Sequence, residues 1–325
     1  MKTMRTVQYS EFGDPDVLTI VDVPRPGVAA GEALVQVTAA SVGGGEIPIR
    51  RGELRGLVRG RFPRRVGNDF VGTVASLGTS ANKFKTGERV WGLMPHGVFG
   101  SIADYVVVPE RQLSWAPAAV SPTDAAALPS AGTTALSALV THGKLQSGER
   151  LLVRGGSGGV GSIVVQLGKA LGAHVTAMVS ARDLDWIRKL GADESHNYRQ
   201  AGPRELATFD VIVDLAGTEL ESYRPLLRPK GRLVPLALDP KHPVRSVAYA
   251  AHGTIRKGLG IRAFSNDPSS EEIAELAAKV DGGWIEPIID TVFPMDAIAE
   301  AYRSLEAGGV RGKHVIEMKS GSKDQ

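Results

Sequence analysis

The sequence predicts an α/β fold class: a doubly wound parallel sheet joined to a compact, mostly β unit. Three observations carry this. From Glu149 onward, apolar strand-like runs alternate with helical patterns, the rhythm of a parallel sheet covered on both faces. Before residue 120, short alternating runs are separated by turns rich in Gly and Pro, the rhythm of a small β unit or barrel. The chain has 325 residues, 42% hydrophobic and 22% charged, which suits about two globular domains.

The elements follow in order. MRTVQYS (4–10) and VLTIVDVP (17–24) read as strands flanking the turn FGDPD. EALVQVTAAS (32–41), NDFVGTVASLG (68–78), ERVWGL (88–93) and SIADYVVVP (101–109) continue the alternation. The Ala-rich stretch 116–143 is helical in pattern, with Ser121 or Thr123 as a cap and Pro129 as an interruption. Strands then fit at 150–155, 174–180, 194–199, 209–217, 231–238 and 259–265. Helical patterns fit at 159–171, 183–190, 220–227 and 270–280. The last pieces, EPIIDTVFP (286–294), a helical 295–309 and KHVIEM (313–318), do not extend that series and are expected to return to the β unit and close it.

Composition narrows the classes. The chain has no cysteine, which excludes disulfides, a thiol nucleophile and thiolate metal sites. Its seven histidines show no paired metal-ligand spacing, so no metal is expected; His96, in MPHGVFG, reads as a loop residue. No apolar run approaches the ~18 residues of a membrane span, and the opening residues show no apolar leader core, so a cytoplasmic protein is expected. The net charge is +3, yet Arg50 to Arg65 holds seven arginines. Only Phe62 is an aromatic among them and no nucleic-acid module is visible, which weighs against a nucleic-acid partner. The cluster reads as a solvated loop, with attraction of an anionic cofactor or substrate as the alternative.

The most informative stretch is Gly156-Ser157-Gly158-Gly159-Val160-Gly161. It fits G-x-G-x-x-G with a strand before it, a helix after it and a second strand at the expected distance. The glycines permit a tight turn and a close approach of backbone to a pyrophosphate, which the helix N-terminus attracts. This is the loop of a Rossmann dinucleotide-binding domain. An NAD-binding unit usually ends its second strand on Asp or Glu to accept from the ribose 2′-hydroxyl. Here the strand ends on Ser180-Ala181-Arg182, a hydroxyl and a guanidinium suited to a 2′-phosphate, so NADPH is the expected cofactor. Asp183 and Asp185 read as a helix N-cap and a first-turn acid. Tyr198 adds a hydroxyl to the same phosphate or is an ordinary half-buried tyrosine.

Taken together, VGNDFVGTVASLG, KFKTGERVWG, ALPSAGTTALSAL, LLVRGGSGGVGSIVVQLGKALGAHV, IRKLGADESHNYR, FDVIVDLAG and GGVRGKHVIEM resemble the zinc-independent branch of the medium-chain dehydrogenase/reductase superfamily, the quinone oxidoreductase-like proteins. The resemblance implies a chaperonin-10 (GroES)-like β-barrel domain over 1–122 and 266–325, with a Rossmann NADPH-binding domain over 123–265 between its parts. It implies a homodimer joined through the edges of the Rossmann sheets, here at GLGIRAF (258–264). It also implies cofactor contacts. These are Thr133 on the nicotinamide side, Gly158, Gly159 and Val160 at the pyrophosphate, and Ser180, Arg182 and Tyr198 at the adenosine phosphate. Ala216, Gly217 and Leu236 would form a wall, Phe264 and Ser265 a closing segment, and Arg311 or Lys313 would reach in from the tail. Arg50, Asn68 and Asp69 are the polar candidates beside the substrate, each with a structural reading as well.

One stretch departs from the family pattern. Where relatives carry Ser-Val-Asn-x-x-Asp, this chain reads SVGGGEIPIRRG: Gly43 replaces the asparagine, Glu46 the aspartate, and Pro48 stands where some members have tyrosine. The resemblance places this region at the nicotinamide. The change argues against a protein-supplied catalytic acid and for a larger pocket; local drift in a glycine-tolerant loop is the other reading. The implied activity is zinc-free hydride transfer from NADPH to a quinone or α,β-unsaturated carbonyl. The alternatives are an enoyl-thioester reductase acting on acyl-CoA or a carrier protein, and a non-catalytic NADPH-binding sensor.

Overall fold

A computed structural model of the chain describes residues 2–56, 60–239, 241–242, 245–246, 248–249 and 260–318. In chain order its strands are β1 (Thr3–Tyr9), β2 (Thr19–Pro24), β3 (Glu32–Ser41), β4 (Arg64–Arg65), β5 (Asp69–Leu77), β6 (Arg89–Leu93), β7 (Tyr105–Pro109), β8 (Leu113–Trp115), β9 (Arg150–Arg154), β10 (His174–Val179), β11 (Glu194–Asn197), β12 (Phe209–Asp214), β13 (Leu227–Pro235), β14 (Ile289–Pro294) and β15 (Lys313–Glu317). The α-helices are α1 (Ile47–Arg50), α2 (Pro122–Ala126), α3 (Pro129–Leu136), α4 (Gly159–Ala170), α5 (Leu184–Leu190), α6 (Leu220–Tyr223), α7 (Ser270–Asp281) and α8 (Ile298–Ala307). Among the described residues no helix is long and apolar enough to cross a membrane. The chain divides into two compact units, Met1–Thr133 with Asp267–Gly283 and Pro287–Gln325, and Thr134–Asn266 with Trp284–Glu286.

The first unit is the β-rich one. One sheet runs β2-β1-β4, and a larger one runs β14-β15-β3-β5-β6-β8 with β7 also paired to β3. The pairings are antiparallel except β14 with β15. As expected, the C-terminal strands return: Val315, Ile316 and Glu317 pair with Ser41, Ala40 and Ala39. The inward positions of these strands (Val35, Val37, Phe70, Val74, Val90 and Ile316) form a buried core with Ile298 and Tyr302 of α8. Alternation along β3 and β5 therefore marks one buried face. Ser121 caps α2 by accepting from the Asp124 N–H at 3.1 Å. The unit boundary lies within α3, eleven residues later than the sequence places it. The reason is that α2 packs on β3, β5 and β15 and buries Ala125 and Ala126.

The second unit is a parallel sheet in the order β11-β10-β9-β12-β13. Read by position along the chain this is 3-2-1-4-5, the doubly wound order. Leu151, Leu152, Val153, Val211, Ile212 and Val213 are fully buried, as central strands covered on both faces require. Helix α4 packs on β9 and β10. Two expectations need correction. The helical pattern at 220–227 yields α-helix only over Leu220–Tyr223, because Pro225 tightens the chain into a 3₁₀ turn at Arg224–Leu226. The predicted strand at 259–265 is reduced to a single parallel bridge, Leu233 to Ile261, over the described residues 260–265. Positions 258 and 259 of the predicted dimer strand lie outside the described residues.

Candidate functional site

The glycine loop of the second unit is built by close packing. The Gly155 and Gly156 N–H groups both donate to the Met178 carbonyl, at 3.2 and 3.1 Å, which ties the loop to β10. A Cβ on Gly161 would lie 2.1 Å from the Gly155 carbonyl oxygen, so only glycine lets α4 start this close to the loop. A Cβ on Gly156 would press on Ala177 and Val179 at 3.2 Å. Gly158 is different. It is the N-cap of α4 with extended φ −76° and ψ 175°, and its Cβ direction meets only the Gly155 oxygen at 3.7 Å. The open side of the loop is therefore above Gly158. The N–H groups of Gly159, Val160 and Gly161 are the first-turn donors that an α-helix leaves without intrahelical acceptors. Together with the helix dipole they could hold an anion.

At the end of β10, Ser180 donates its hydroxyl to Asp183 Oδ2 at 2.6 Å. Asp183 is 2% exposed and lies 3.8 Å from Arg182 Nε. It occupies the N-cap of α5 but makes no side-chain capping bond, because its carboxylate is engaged by Ser180. The Arg182 side chain is 57% exposed, Tyr198 is exposed and Asp185 is exposed in the first turn of α5. The acid at this strand end is thus turned inward and the cation outward.

Ala216 and Gly217 form a turn fixed by Asp214, whose Oδ2 accepts from the Gly217 N–H at 3.0 Å. Gly217 has φ +74°, and a Cβ there would strike the Leu238 carbonyl oxygen at 2.5 Å. It lines a cavity of about 290 Å³ with Leu220, Asp239 and Tyr249. Asp214 is fully buried and paired with Arg154 at 2.5 Å, across the register of β9 and β12. Burial pushes the Asp214 carboxyl upward, while the Arg154 charge and the Gly217 and Ala216 N–H groups pull it back. Arg154 also lies over the Tyr223 ring, its Cζ 3.6 Å from the centroid. Neither partner of this pair was singled out in the sequence. Leu236 donates its N–H to the Asp214 carbonyl at 2.8 Å. Phe264 stacks on His142 at 4.2 Å between centroids, and Ser265 beside it is exposed.

The first unit carries a cavity of about 220 Å³ lined by Gly43, Glu46, Asn68, Asp69, Ser130 and Lys313, among others. It brings together two of the three substrate-side candidates. Asn68 is half-buried, and its carbonyl holds the Met94 N–H at 2.7 Å. Asp69 is 1% exposed: Oδ1 accepts from the Ser41 hydroxyl at 2.6 Å and Oδ2 from the Ser130 N–H at 3.2 Å. Lys313 Nζ lies 3.9 Å from Oδ2. The third candidate, Arg50, lies apart from them. It is fully buried, its amino groups are held by the Gly13 carbonyl and the Glu306 carboxylate, and it is not part of the cavity lining. Its charge is paired with Glu306 of α8. His96 is exposed in a turn. Thr133 is buried, with its hydroxyl donating to the Pro129 carbonyl at 2.6 Å. Arg311 donates its N–H to Asp290 at 3.0 Å.

Glu46 lines the cavity, where Arg50 does not. It is 7% exposed; Oε2 accepts from the Gly67 N–H at 2.7 Å and from the Tyr302 hydroxyl at 3.2 Å. Burial, helped by Asp69, pushes its carboxyl up to about 7, against the pull of Gly67, Lys313 and Tyr302. A carboxyl raised this way holds its proton more tightly folded than unfolded. Its contribution to stability is therefore present at acid pH and lost as the pH rises through about 7.

Comparison with known proteins supplies a second line. Residues 190–316 match the family model of a zinc-binding dehydrogenase, and residues 29–118 that of the alcohol dehydrogenase GroES-like domain. The chain is 31% identical over 328 residues to a chloroplastic quinone-oxidoreductase homolog of Spinacia oleracea, covering 97% of this chain and 99% of the relative. It is 32% identical over 326 residues to the mitochondrial NAD(P)H oxidoreductase RTN4IP1 of Homo sapiens, covering 88% and 82%. The solved structure of the quinone oxidoreductase from Coxiella burnetii superposes with a TM-score of 0.87 at 28% identity, covering 98% of this chain and 100% of that chain. The zinc of the first description finds no donor set here. The chain has no cysteine, and among the described residues no three His, Asp or Glu side chains converge. Asp69 is already met by Ser41, Ser130 and the Lys313 ammonium.

Proposed function

Because the chain belongs to the quinone oxidoreductase-like branch of the medium-chain dehydrogenase/reductase superfamily, we propose that it is a metal-free reductase of quinones or α,β-unsaturated carbonyls that uses NADPH. The glycine loop fits a dinucleotide: a cradle lies open above Gly158, where a side chain would fill it, and the first-turn donors of α4 would face the pyrophosphate. When bound, the cofactor supplies the hydride. The residues of the chain bind and orient. Gly158 to Gly161 would hold the pyrophosphate, and Ser180, Arg182 and Tyr198 the 2′-phosphate. In the first unit the cavity would take a small planar acceptor, since about 220 Å³ lies below the ~300–1,000 Å³ of drug-sized sites. Lys313 would place a cation near the oxygen on which negative charge develops.

The observation that carries the choice of NADPH is the inward Asp183 beside the exposed Arg182. A carboxylate left facing the ribose would favour a 2′-hydroxyl; a guanidinium favours a phosphate. Arg182→Ala will accordingly weaken NADPH binding about 10- to 100-fold, the loss of one charge-assisted contact, and leave NADH binding within about twofold. Fluorescence titration with both cofactors checks this; equal weakening would remove the phosphate assignment. The reaction itself is tested by following NADPH consumption with a reactive ortho-quinone in the presence of a metal chelator. Turnover is expected. Binding of NADPH without consumption would overturn the reductase reading.

A further inference from the structure

Three segments far apart in sequence meet at Glu46. The carboxyl enters the cavity wall from the 3₁₀ turn before α1, and its Oε2 is occupied by the Gly67 N–H and the Tyr302 hydroxyl. Oε1 has no hydrogen-bond partner among the described residues. A Cβ on Gly43 would lie 3.0 Å from Oε1, so the side chain that is missing at Gly43 is what leaves this oxygen uncovered. Gly43 and Glu46 both line the cavity. An oxygen that already accepts two hydrogen bonds is a poor place for a proton, so the proton of a neutral Glu46 belongs on Oε1. On the neighbouring acid, Asp69, by contrast, each oxygen accepts a hydrogen bond.

We infer that Glu46 is the proton donor of the cavity: it delivers a proton from Oε1 to the oxygen of a bound carbonyl or quinone acceptor. The inference rests on the reductase reading above. A bound reduced nicotinamide would supply the hydride that forms a C–H bond at the electron-poor carbon of the acceptor. The displaced electron pair collects on the acceptor oxygen, and the Oε1–H bond breaks as the O–H bond to that oxygen forms. Glu46 is left as a carboxylate and regains its proton from water. The groups that set its proton affinity come from every element around it. Asp69 of β5 and Lys313 of β15 act through charge, and Tyr302 of α8 through its hydrogen bond. Tyr9 of β1 and Arg50 of α1 bear on the same cluster. Burial raises the Tyr302 phenol well above its ordinary value, so it remains a donor to Glu46 throughout. A carboxylic acid kept neutral near pH 7 by its surroundings is a competent hydrogen-bond and proton donor.

The test uses the full-length protein, a cyclic enone and an ortho-quinone. The wild-type kcat on the enone is expected to fall as the pH rises through about 7. Glu46→Gln, which keeps an oxygen for Gly67, is expected to lower kcat on the enone about 100-fold below neutral pH, with a flat profile and little change in KM. Its loss on the quinone will be smaller, because water can protonate a hydroquinone anion. Gly43→Ala retains the carboxyl but crowds Oε1, and is expected to lower the enone rate and move the inflection. Independently of turnover, infrared titration of the cofactor-free protein is expected to show a protonated carboxyl band that fades through about pH 7 and is missing in Glu46→Gln. A Glu46→Gln protein with the wild-type rate and pH profile on the enone would overturn the inference, as would an infrared titration showing Glu46 ionised across the range. In either case the reductase reading stands. A wild type that turns over neither acceptor removes that reading and the inference with it.

Discussion

Gly158→Val will abolish dinucleotide binding while leaving the protein folded, and Gly161→Val will lose both binding and stability. The contrast follows from what each missing side chain would meet. Gly158 has backbone angles that any residue adopts, and its Cβ would meet only the Gly155 oxygen, at an ordinary 3.7 Å. The stability terms nearly cancel there. Valine is a poorer N-cap than glycine by about 1 kcal/mol, and a less flexible unfolded chain returns about 0.4–1 kcal/mol. The added methyl groups fill the space that a pyrophosphate must enter, so affinity will fall at least about 100-fold, or ~2.7 kcal/mol. At Gly161 the obstacle is backbone: Gly155 O at 2.1 Å, Gly155 C at 2.9 Å and Gly156 Cα at 2.9 Å. Backbone cannot rotate aside as a side chain does, so α4 must pull away from the loop. The penalty will reach about 3 kcal/mol, the upper end for overpacking. Thermal melting and NADPH titration on the two variants check this. A Gly158→Val protein that still binds NADPH would show that the loop does not carry the pyrophosphate.

The glycine loop was legible in the sequence because its demands are local. Gly161 answers a clash with Gly155 only six residues away, and the strand and helix flanking the loop carry their own periodicity. The strand end at Ser180 to Arg182 was legible for the same reason. Its finer arrangement was not, since nothing in the string says that Ser180 would turn Asp183 inward. The substrate-side residues lay beyond local reading. Arg50 stood out as a charge in a basic cluster, but its partner Glu306 is 256 residues away. Glu46 appeared only as a substitution in a drifting loop. Its neighbours Gly67, Asp69, Tyr302 and Lys313 arrive from three other segments, and it is burial, with Asp69, that pushes the carboxyl upward against the pull of the other three. The failed strand at 259–265 shows the limit of short apolar runs, which look alike whether they extend a sheet or cross its edge once. The 3₁₀ turn at Arg224–Leu226 was within reach, because Pro225 stands inside the predicted helix.

Arg154→Met will destabilise the protein by about 3–5 kcal/mol above neutral pH, the cost of leaving one partner of a buried ion pair alone. Arg154 and Asp214 sit opposite each other on adjacent central strands, with side chains 6% and 0% exposed. Methionine is close in shape to the arginine stem, so the loss is electrostatic more than steric. The sign with pH is fixed by Asp214. Burial already raises its carboxyl, and removing Arg154 removes one of the influences that hold it down. An acid raised in the folded state adds stability below its unfolded range and loses it as the pH rises through the folded value. The penalty of Arg154→Met will therefore shrink as the pH is lowered, whereas a pure packing defect would be insensitive to pH. Adding Asp214→Asn removes the orphaned charge but keeps an oxygen for the Gly217 N–H. The double variant should recover most of the loss, a coupling that urea unfolding of the two singles and the double measures. The pair also reaches the site. Asp214 fixes the Ala216–Gly217 turn and Arg154 is the last residue of β9 before the glycine loop, so the single variant should weaken dinucleotide binding as well as stability. If the single and double variants are equally unstable at every pH, the pair is held by packing on Tyr223 alone, and its charges do not organise the turn.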